Sequence, residues 1–317
     1  MSTKKEKHKK TTFFKIILIV FLLLLTGTST YAYSLYNTTK QTINNRMHET
    51  SSVLSDRKGE NKGSINILLL GVDERPGDPG RSDTLMVLSL NPKTKSIQTI
   101  SIPRDTYTQI IGKGYKTKIN HAYAFGGIDM AVATVENFIN AKLDYYVKVN
   151  MEGLSDLVDA IGGIKVDNDL KWVDTGTYKK GYVYEKGKIH LNGPQTLGYV
   201  RMRHEDPRGD FGRNKRQREV IEAIVNSKDN ILSVTRMNKI LNVLGDNVRT
   251  NATFEEIKYI ALNYKDCRKN SNSYEVKGEG TRINGTYYLK ISEEEQQKLH
   301  EMIVSFNKAT SEKDLPL

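Results

Sequence analysis

From Ile16 to Thr39 the chain reads "IILIVFLLLLTGTSTYAYSLYNTT" without one charged side chain. About 20 apolar helical residues, at ~1.5 Å each, cross the roughly 30 Å hydrocarbon core of a bilayer, so the run predicts one transmembrane helix. Lys4, Lys5, Lys7, Lys9, Lys10 and Lys15 precede it against a single acid, Glu6. Lysines before a span and a long polar chain after it imply an inside N-terminus and an outside C-terminus. The alternative is a cleaved secretory signal, with Thr30 and Ala32 as the small residues of the cleavage point. The length of the apolar stretch and the lack of an A-x-A pattern favour an uncleaved anchor. The expected layout is a basic cytoplasmic tail (1–15), a signal-anchor helix (16–36), a polar extracellular stalk (37–63) and an extracellular domain (64–310). That makes a single-pass, type II protein of the cell membrane.

Topology changes the meaning of the charge. The whole chain carries +11, but six lysines and one glutamate fall before residue 37, so the remainder carries about +6. A mildly basic exported domain suits an anionic partner and argues much less for nucleic acid. A single cysteine, Cys267, allows no internal disulfide, and the six histidines show no zinc-ligand spacing. The domain must therefore rest on its own apolar core.

The order of elements indicates an α/β fold. "SINILLLGVD" is a short apolar run that suits a buried strand, and "TLMVLSL" with "SIQTISI" flanks the turn at Asn91–Thr94. Ile128, Val132, Val135 and Ile139 have helical spacing, "YYVKVN" reads as a strand, and "MEGLSDLVDAIGG" as a helix closed by glycine. Residues 172–187 form a loop or hairpin, and Asn192-Gly193-Pro194 starts a helix. Three helices follow near 213–227, 231–245 and 253–265, the last opened by a Thr253…Glu256 capping box. A hairpin at Asn284-Gly285 and a helix capped at Ser292 complete the chain. The pattern predicts one domain with a central mixed β-sheet flanked by helices.

Three stretches place arginine beside aspartate at strand ends, where open α/β sheets bind ligands. In "GVDERPGDPGRSDTL", Asp73 and Asp83 close and open adjoining strands and can share a hard cation, with Arg81 beside them. Glu74 points to the opposite face from Asp73, and Asp78 reads as loop surface. "SIPRDT" carries Arg104 and Asp105. "RMRHEDPRGDFGRNKRQRE", residues 201–219, holds six arginines and a lysine. If its start is extended, Arg201 and Arg203 share one face. On the helix from Arg213, that residue and Gln217 continue the stripe of Val220, Ile221 and Ile224, while Lys215 and Arg218 lie elsewhere. Asp210 then reads as the helix N-cap. An inward guanidinium needs a carboxylate or an anionic ligand, so internal salt bridges and a phosphate site both remain open here.

These motifs, with "KINHAYAFGG" between them, occur in an order that resembles the LytR-CpsA-Psr family of Gram-positive cell-wall ligases, specifically its teichoic acid attachment members. The resemblance is strong over 64–227 and weak beyond. It implies a phosphotransferase that moves an anionic glycopolymer, wall teichoic acid first among them, from undecaprenyl pyrophosphate to the muramic acid 6-hydroxyl of peptidoglycan. A phosphodiester forms and undecaprenyl phosphate is released. Carried over by motif, Asp73 and Asp83 would hold Mg2+, or Mn2+ in its place. Arg81, Arg104, Lys118, Arg201, Arg203, Asp210, Arg213 and Gln217 would surround the pyrophosphate. Asp83, Arg104, Asp105 and Arg213 would form the catalytic set, with Asp105 and Asp210 orienting arginines or assisting the acceptor hydroxyl. The implied partners are the lipid-linked polymer, peptidoglycan and membrane lipid, and not nucleic acid. An apolar channel for the polyprenyl tail would run beneath the sheet, lined by "INILLLGV" and by Val220, Ile221 and Ile224. The competing classes are a membrane-anchored nucleic-acid-binding or transcriptional regulator and a non-catalytic wall-binding protein. No RNP, helix-turn-helix or zinc-finger pattern supports the first.

Overall fold

A computed structural model describes residues 25–55, 63–74, 77, 80–226, 234–311 and 314–315. Residues 25–41 are helical (α1) and run into a π-helical turn, Thr42–Met47. Strands β1 (Ile65–Val72), β2 (Ser82–Asn91) and β3 (Ser96–Ser101) follow as an antiparallel meander. A small hairpin, β4 (Tyr107–Gln109) and β5 (Lys116–Lys118), leads to α2 (His121–Ile139). Then come β6 (Tyr145–Asn150), α3 (Met151–Ile161) and β7 (Ile164–Asn168). The 172–187 excursion is a hairpin of β8 (Trp172–Val173) and β9 (Val183–Tyr184), and β10 (Gly187–Leu191) returns against β7. Helices α4 (Gly193–Arg201), α5 (Asp210–Asn226) and α6 (Val234–Asn247) precede β11 (Val248–Thr250). The chain ends with α7 (Phe254–Asn263), β12 (Asn270–Glu275), the hairpin β13 (Glu279–Ile283) and β14 (Thr286–Lys290), and α8 (Glu293–Lys308).

The central sheet has the order β11-β6-β1-β2-β3-β12 and is mixed. β1 pairs parallel with β6 and β3 with β12, while the remaining pairs are antiparallel. Period-two alternation sends Leu68 and Leu70 to one face, where α2 supplies Val132, Val135 and Phe138 and α8 supplies Leu299 and Ile303. Ile67 goes to the other face with Tyr264 and Cys267. A separate core joins α3, β8, α4 and α5 through Val158, Trp172, Tyr199 and Val220. Local signals explain the boundaries. Asn192 and Gln195 form a reciprocal capping box for α4, as do Thr253 and Glu256 for α7. Gly162, at φ 89°, ends α3 in a conformation that strains any residue bearing a Cβ.

Several expectations need correction. Helix α2 starts at His121 and bends at Gly126–Gly127, because the first turn follows the β4–β5 hairpin and not the periodic stripe that begins at Ile128. Residues 42–55 are not a free stalk. Ile43 and Met47 pack on Val248 and Phe254, His48 bridges to Thr250, and Leu54, 1% exposed, joins the main core. A stretch with no long apolar period can still dock when each of its few apolar residues meets a pocket. Leu68 and Leu70 fall in the main core and Val220 in the second one. Among the described residues no helix is long and apolar enough to cross a membrane. Residues 16–24 of the expected span, and Asp78, lie outside the described residues.

Candidate active site

The end of β1, the start of β2 and the end of β3 lie at one edge of the sheet, because β2 runs against both neighbours. Asp73 therefore comes to lie near Asp83, and Arg104 and Asp105 follow beside them. Gly80 closes the intervening loop at φ +70°; a Cβ there would stand 2.5 Å from the Asp73 carbonyl oxygen. The C-terminus of α4 and the start of α5 bring the basic segment to the same edge.

Arg104 Nη1 lies 2.9 Å from Asp83 Oδ1, and its Nε lies 3.8 Å from Asp210 and 3.9 Å from Asp105. Lys118 Nζ donates to Asp105 Oδ1 at 2.5 Å, and Asn120 Nδ2 to Asp83 Oδ1 at 3.3 Å. Arg201 Nη2 donates to Asp73 Oδ1 at 3.2 Å. Asp210 is the hub of the basic segment: Arg213 Nη2 stands 2.7 Å from it and Arg203 Nε 3.8 Å. Among the described residues Arg81 has no ion pair. Two cavities adjoin across Asp83. One, about 300 Å3, is lined by Arg81, Asp83, Arg104, Asp105, Lys118, Asn120, His121, Arg203 and Tyr287. The other, about 280 Å3, is lined by Asp73, Asp83, Met151, Val200, Arg201, Arg213 and Gln217. Asp210 lines neither, and borders a cleft of about 20 Å3 with Asn214, Tyr287 and Leu289 among others.

The polar groups here are close together but poorly satisfied. Arg104 Nε, Arg213 Nε and Nη2, Gln217 Oε1 and both Asp210 carboxylate oxygens are buried without a hydrogen-bond partner. The 2.7 Å Arg213–Asp210 approach is thus an ion pair without hydrogen-bond alignment. Each such group costs about 1–3 kcal/mol when unmet, and functional sites are where that cost persists. Burial weakens the hold of Arg213 on its proton. Asp210 and Asp83 oppose this, Arg104 and Arg203 add to it, and the net shift is downward. Arg104 shows the opposite balance: burial works against its charge, and Asp83 and Asp210 more than restore it. Burial lowers the His121 pKa, helped by Arg81 and Lys118, which favours the neutral imidazole. Arg213 remains a cation, and two of its nitrogens are without a hydrogen-bond partner.

Arg213 and Gln217, each 6% exposed, face inward as the helical stripe predicts. Other details of the basic segment differ from expectation. Arg201 ends helix α4, so it and Arg203 do not alternate along a strand; the capping box starts a helix that runs as far as Arg201, and Arg203 follows its C-cap Met202. Asp210 lies within the first turn of α5, not at its N-cap, because the helix begins three residues early. Arg218 does not point outward: it reaches Ser101 Oγ at 2.8 Å and Glu275 at 3.3 Å, on the sheet edge that β12 completes. Lys215 does face outward, paired with Asp169. Glu74 leaves Asp73 for the other face, where it accepts hydrogen bonds from Tyr123 and Lys148. Sequence reasoning overlooked Asn120 and His121, although both lie in "KINHAYAFGG", and Tyr287, which the distant β13–β14 hairpin delivers. It also overlooked Arg216, 1% exposed, which a charged run conceals. With so many of its cations turned inward or paired, residues 201–219 offer no continuous basic stripe for a nucleic acid.

Arginines and carboxylates around two cavities at the strand ends of a mixed sheet suit anionic phosphate esters. Comparison with known proteins agrees: the model of the LytR_cpsA_psr family matches residues 27–304, and the chain belongs to that family. The polyisoprenyl-teichoic acid–peptidoglycan teichoic acid transferase TagU of Bacillus subtilis (strain 168) is 48% identical over 299 residues, covering 92% of this chain and 95% of that relative. The crystal structure of B. subtilis TagU superposes with a TM-score of 0.63 at 43% identity, over 78% of this chain and 98% of that one. A structure of TagT bound to LI-WTA gives a TM-score of 0.68 at 28% identity, over 83% of this chain and all of the other.

Proposed function

We propose that this protein transfers an anionic glycopolymer, wall teichoic acid, from undecaprenyl pyrophosphate to the 6-hydroxyl of muramic acid in peptidoglycan. The new bond is a phosphodiester and the released lipid is undecaprenyl phosphate. The observation that carries this reading is Arg213, a buried cation with two unbonded nitrogens, facing Asp83 across a cavity that Arg201 and Gln217 also line. The names of the relatives and the structure of TagT with LI-WTA support the same chemistry. Phosphoryl transfer demands mainly positioning and neutralisation of phosphate oxygens. Arg201, Arg213 and Gln217 hold the diphosphate on one side, and Arg81, Arg104, Arg203 and Lys118 on the other. Asp105 and Asp210 orient those cations by ion pairs. Asp83, Arg104, Asp105 and Arg213 form the catalytic set.

Asp73 and Asp83 suit Mg2+, or Mn2+. Among the described residues no three His, Cys, Asp or Glu side chains converge on a metal. Mg2+ is commonly held by one or two carboxylates together with substrate phosphates and water, which fits two carboxylates lining one cavity. When bound it would neutralise charge on the phosphate oxygens. The reading places the domain outside a single-pass membrane anchor, beside the lipid carrier.

The test is reconstituted transfer from lipid-linked teichoic acid or a capsule precursor to peptidoglycan fragments. Arg213→Ala and Asp83→Ala should each abolish transfer, by at least about 10²-fold, while the protein still folds. Near-normal transfer by either variant would overturn the site assignment and support a non-catalytic wall-binding role.

A further inference from the structure

The cavity that holds Arg81 and Lys118 continues outward onto aromatic side chains that the proposed reaction leaves unused. Tyr115 and Phe125 are 50% and 40% exposed, and unlike a lone surface ring they lie side by side. They form a continuous ledge: the Tyr115 and Phe125 ring centroids are 6.3 Å apart, and Phe125 meets His121 at 5.7 Å. His121 is itself part of the cavity wall, so the ledge ends where the cavity begins. Tyr287, 38% exposed, lines that same cavity.

The ledge is fixed in place. The β4–β5 turn closes through Ile110 N–H to the Tyr115 carbonyl at 3.1 Å, and Ile111 N–H donates to Thr134 Oγ1 of α2 at 3.2 Å. The His121–Phe125 turn is set off from the rest of α2 by the bend at Gly126–Gly127, where Gly127 takes φ 62°. A Cβ on Gly126 would lie 2.8 Å from Met130 Cβ, an atom that no rotamer change can move away. The bend therefore needs glycines, and it ends the His121–Phe125 turn that carries the ring. Lys113 Nζ stands 5.4 Å from the Phe125 centroid and puts a cation beside the ledge.

We propose that Tyr115 and Phe125 form a saccharide subsite that takes the acceptor glycan strand and leads one of its hydroxyls to the cavity beside His121. The inference rests on the transferase reading above. Aromatic rings with an exposed apolar body and a polar rim suit the C–H faces of pyranose rings, and Lys113 suits the carboxylates that peptidoglycan carries. Continuity with the phosphate cavity favours a glycan over a lipid surface, since a membrane would gain nothing from a ledge that ends at a reacting group.

The experiment uses the full chain in detergent micelles with lipid-linked teichoic acid as donor and a peptidoglycan tetrasaccharide as acceptor. Direct calorimetric binding of the tetrasaccharide without donor is measured in parallel. Tyr115→Ala and Phe125→Ala should each raise the acceptor KM and the tetrasaccharide Kd about tenfold, the scale of one lost aromatic contact. The donor KM should stay as it was. Tyr259→Ala, which removes an equally exposed ring from α7, should change neither constant. Unchanged acceptor KM and Kd in both variants would overturn the subsite, as would loss of binding to anionic lipid vesicles with acceptor KM intact. If the tetrasaccharide binds through the ledge but is never modified, the subsite stands and the transferase reading fails.

Discussion

Arg216 lies on α5 one turn from Arg213, and its replacement by methionine removes a charge that is fully enclosed. Its Nε donates to the Tyr199 carbonyl at 3.1 Å, Nη1 to Asp206 Oδ2 at 2.6 Å and Nη2 to the Met202 carbonyl at 2.6 Å. The guanidinium carbon stands 5.5 Å from the Trp172 ring centroid. The two side chains of the pair are 1% and 0% exposed. The pair thus ties α5 to the end of α4 and sets where Arg201 and Arg213 stand relative to each other. Breaking a buried ion pair from one side costs about 3–5 kcal/mol. Arg208 still serves Asp206, at 2.9 and 2.8 Å, which pulls the expectation toward the lower figure. Two carbonyls left without donors push it back up. For a domain of this size about 1 kcal/mol corresponds to ~2–4 °C in Tm, so Arg216→Met should melt roughly 10 °C lower by calorimetry. Arg216→Lys should recover only part of the loss, since an ammonium cannot serve three acceptors arranged in a plane. A Tm within about 2 °C of the unaltered protein would refute the claim that this pair holds the basic segment.

Asp206 gives a pH test. Burial pushes its carboxyl up, but hydrogen bonds from Arg208 and Arg216 outweigh that and leave it below the ordinary carboxylate range. A depressed folded-state pKa contributes stability that is present above the unfolded value, about 3.9, and lost as pH falls below it. Denaturant melts of Asp206→Asn should therefore show a shallower loss of stability than the unaltered protein below about pH 4. Asn192→Ala removes half of the α4 capping box and should cost about 1 kcal/mol in the same assay. Chelation should stop transfer and Mg2+ should restore it, with Asp83→Asn needing far more metal in a titration of initial rates.

The elements were largely legible because their signals are local: the strand β1, the Asn91–Thr94 turn, the caps at Asn192 and Thr253, and the glycine after α3. The inward face of Arg213 and Gln217 was legible for the same reason, since helical spacing fixes it once the helix is known. What escaped depends on tertiary contact. Arg216 and Arg218 are as basic in sequence as Lys215, yet one is enclosed by Asp206 and two carbonyls, one is drawn to Glu275 on β12, and only Lys215 faces solvent. Tyr287 reaches the cavity from a hairpin more than 160 residues beyond His121 in the chain. Residues 42–55 look like a linker because their apolar anchors, Ile43, Met47, Val53 and Leu54, follow no sustained period, and polar contacts such as Ser51 and Ser52 with Asp129 supply the rest.

The central claim, transfer at phosphorus, is tested most directly by mass spectrometry of a reconstituted reaction containing the full chain, Mg2+, undecaprenyl-pyrophosphate-linked teichoic acid and a peptidoglycan tetrasaccharide. The expected products are teichoic acid joined to the tetrasaccharide through a phosphodiester and an equal amount of undecaprenyl phosphate. Release of undecaprenyl pyrophosphate with the polymer joined without phosphorus would contradict it, and so would recovery of both substrates unchanged.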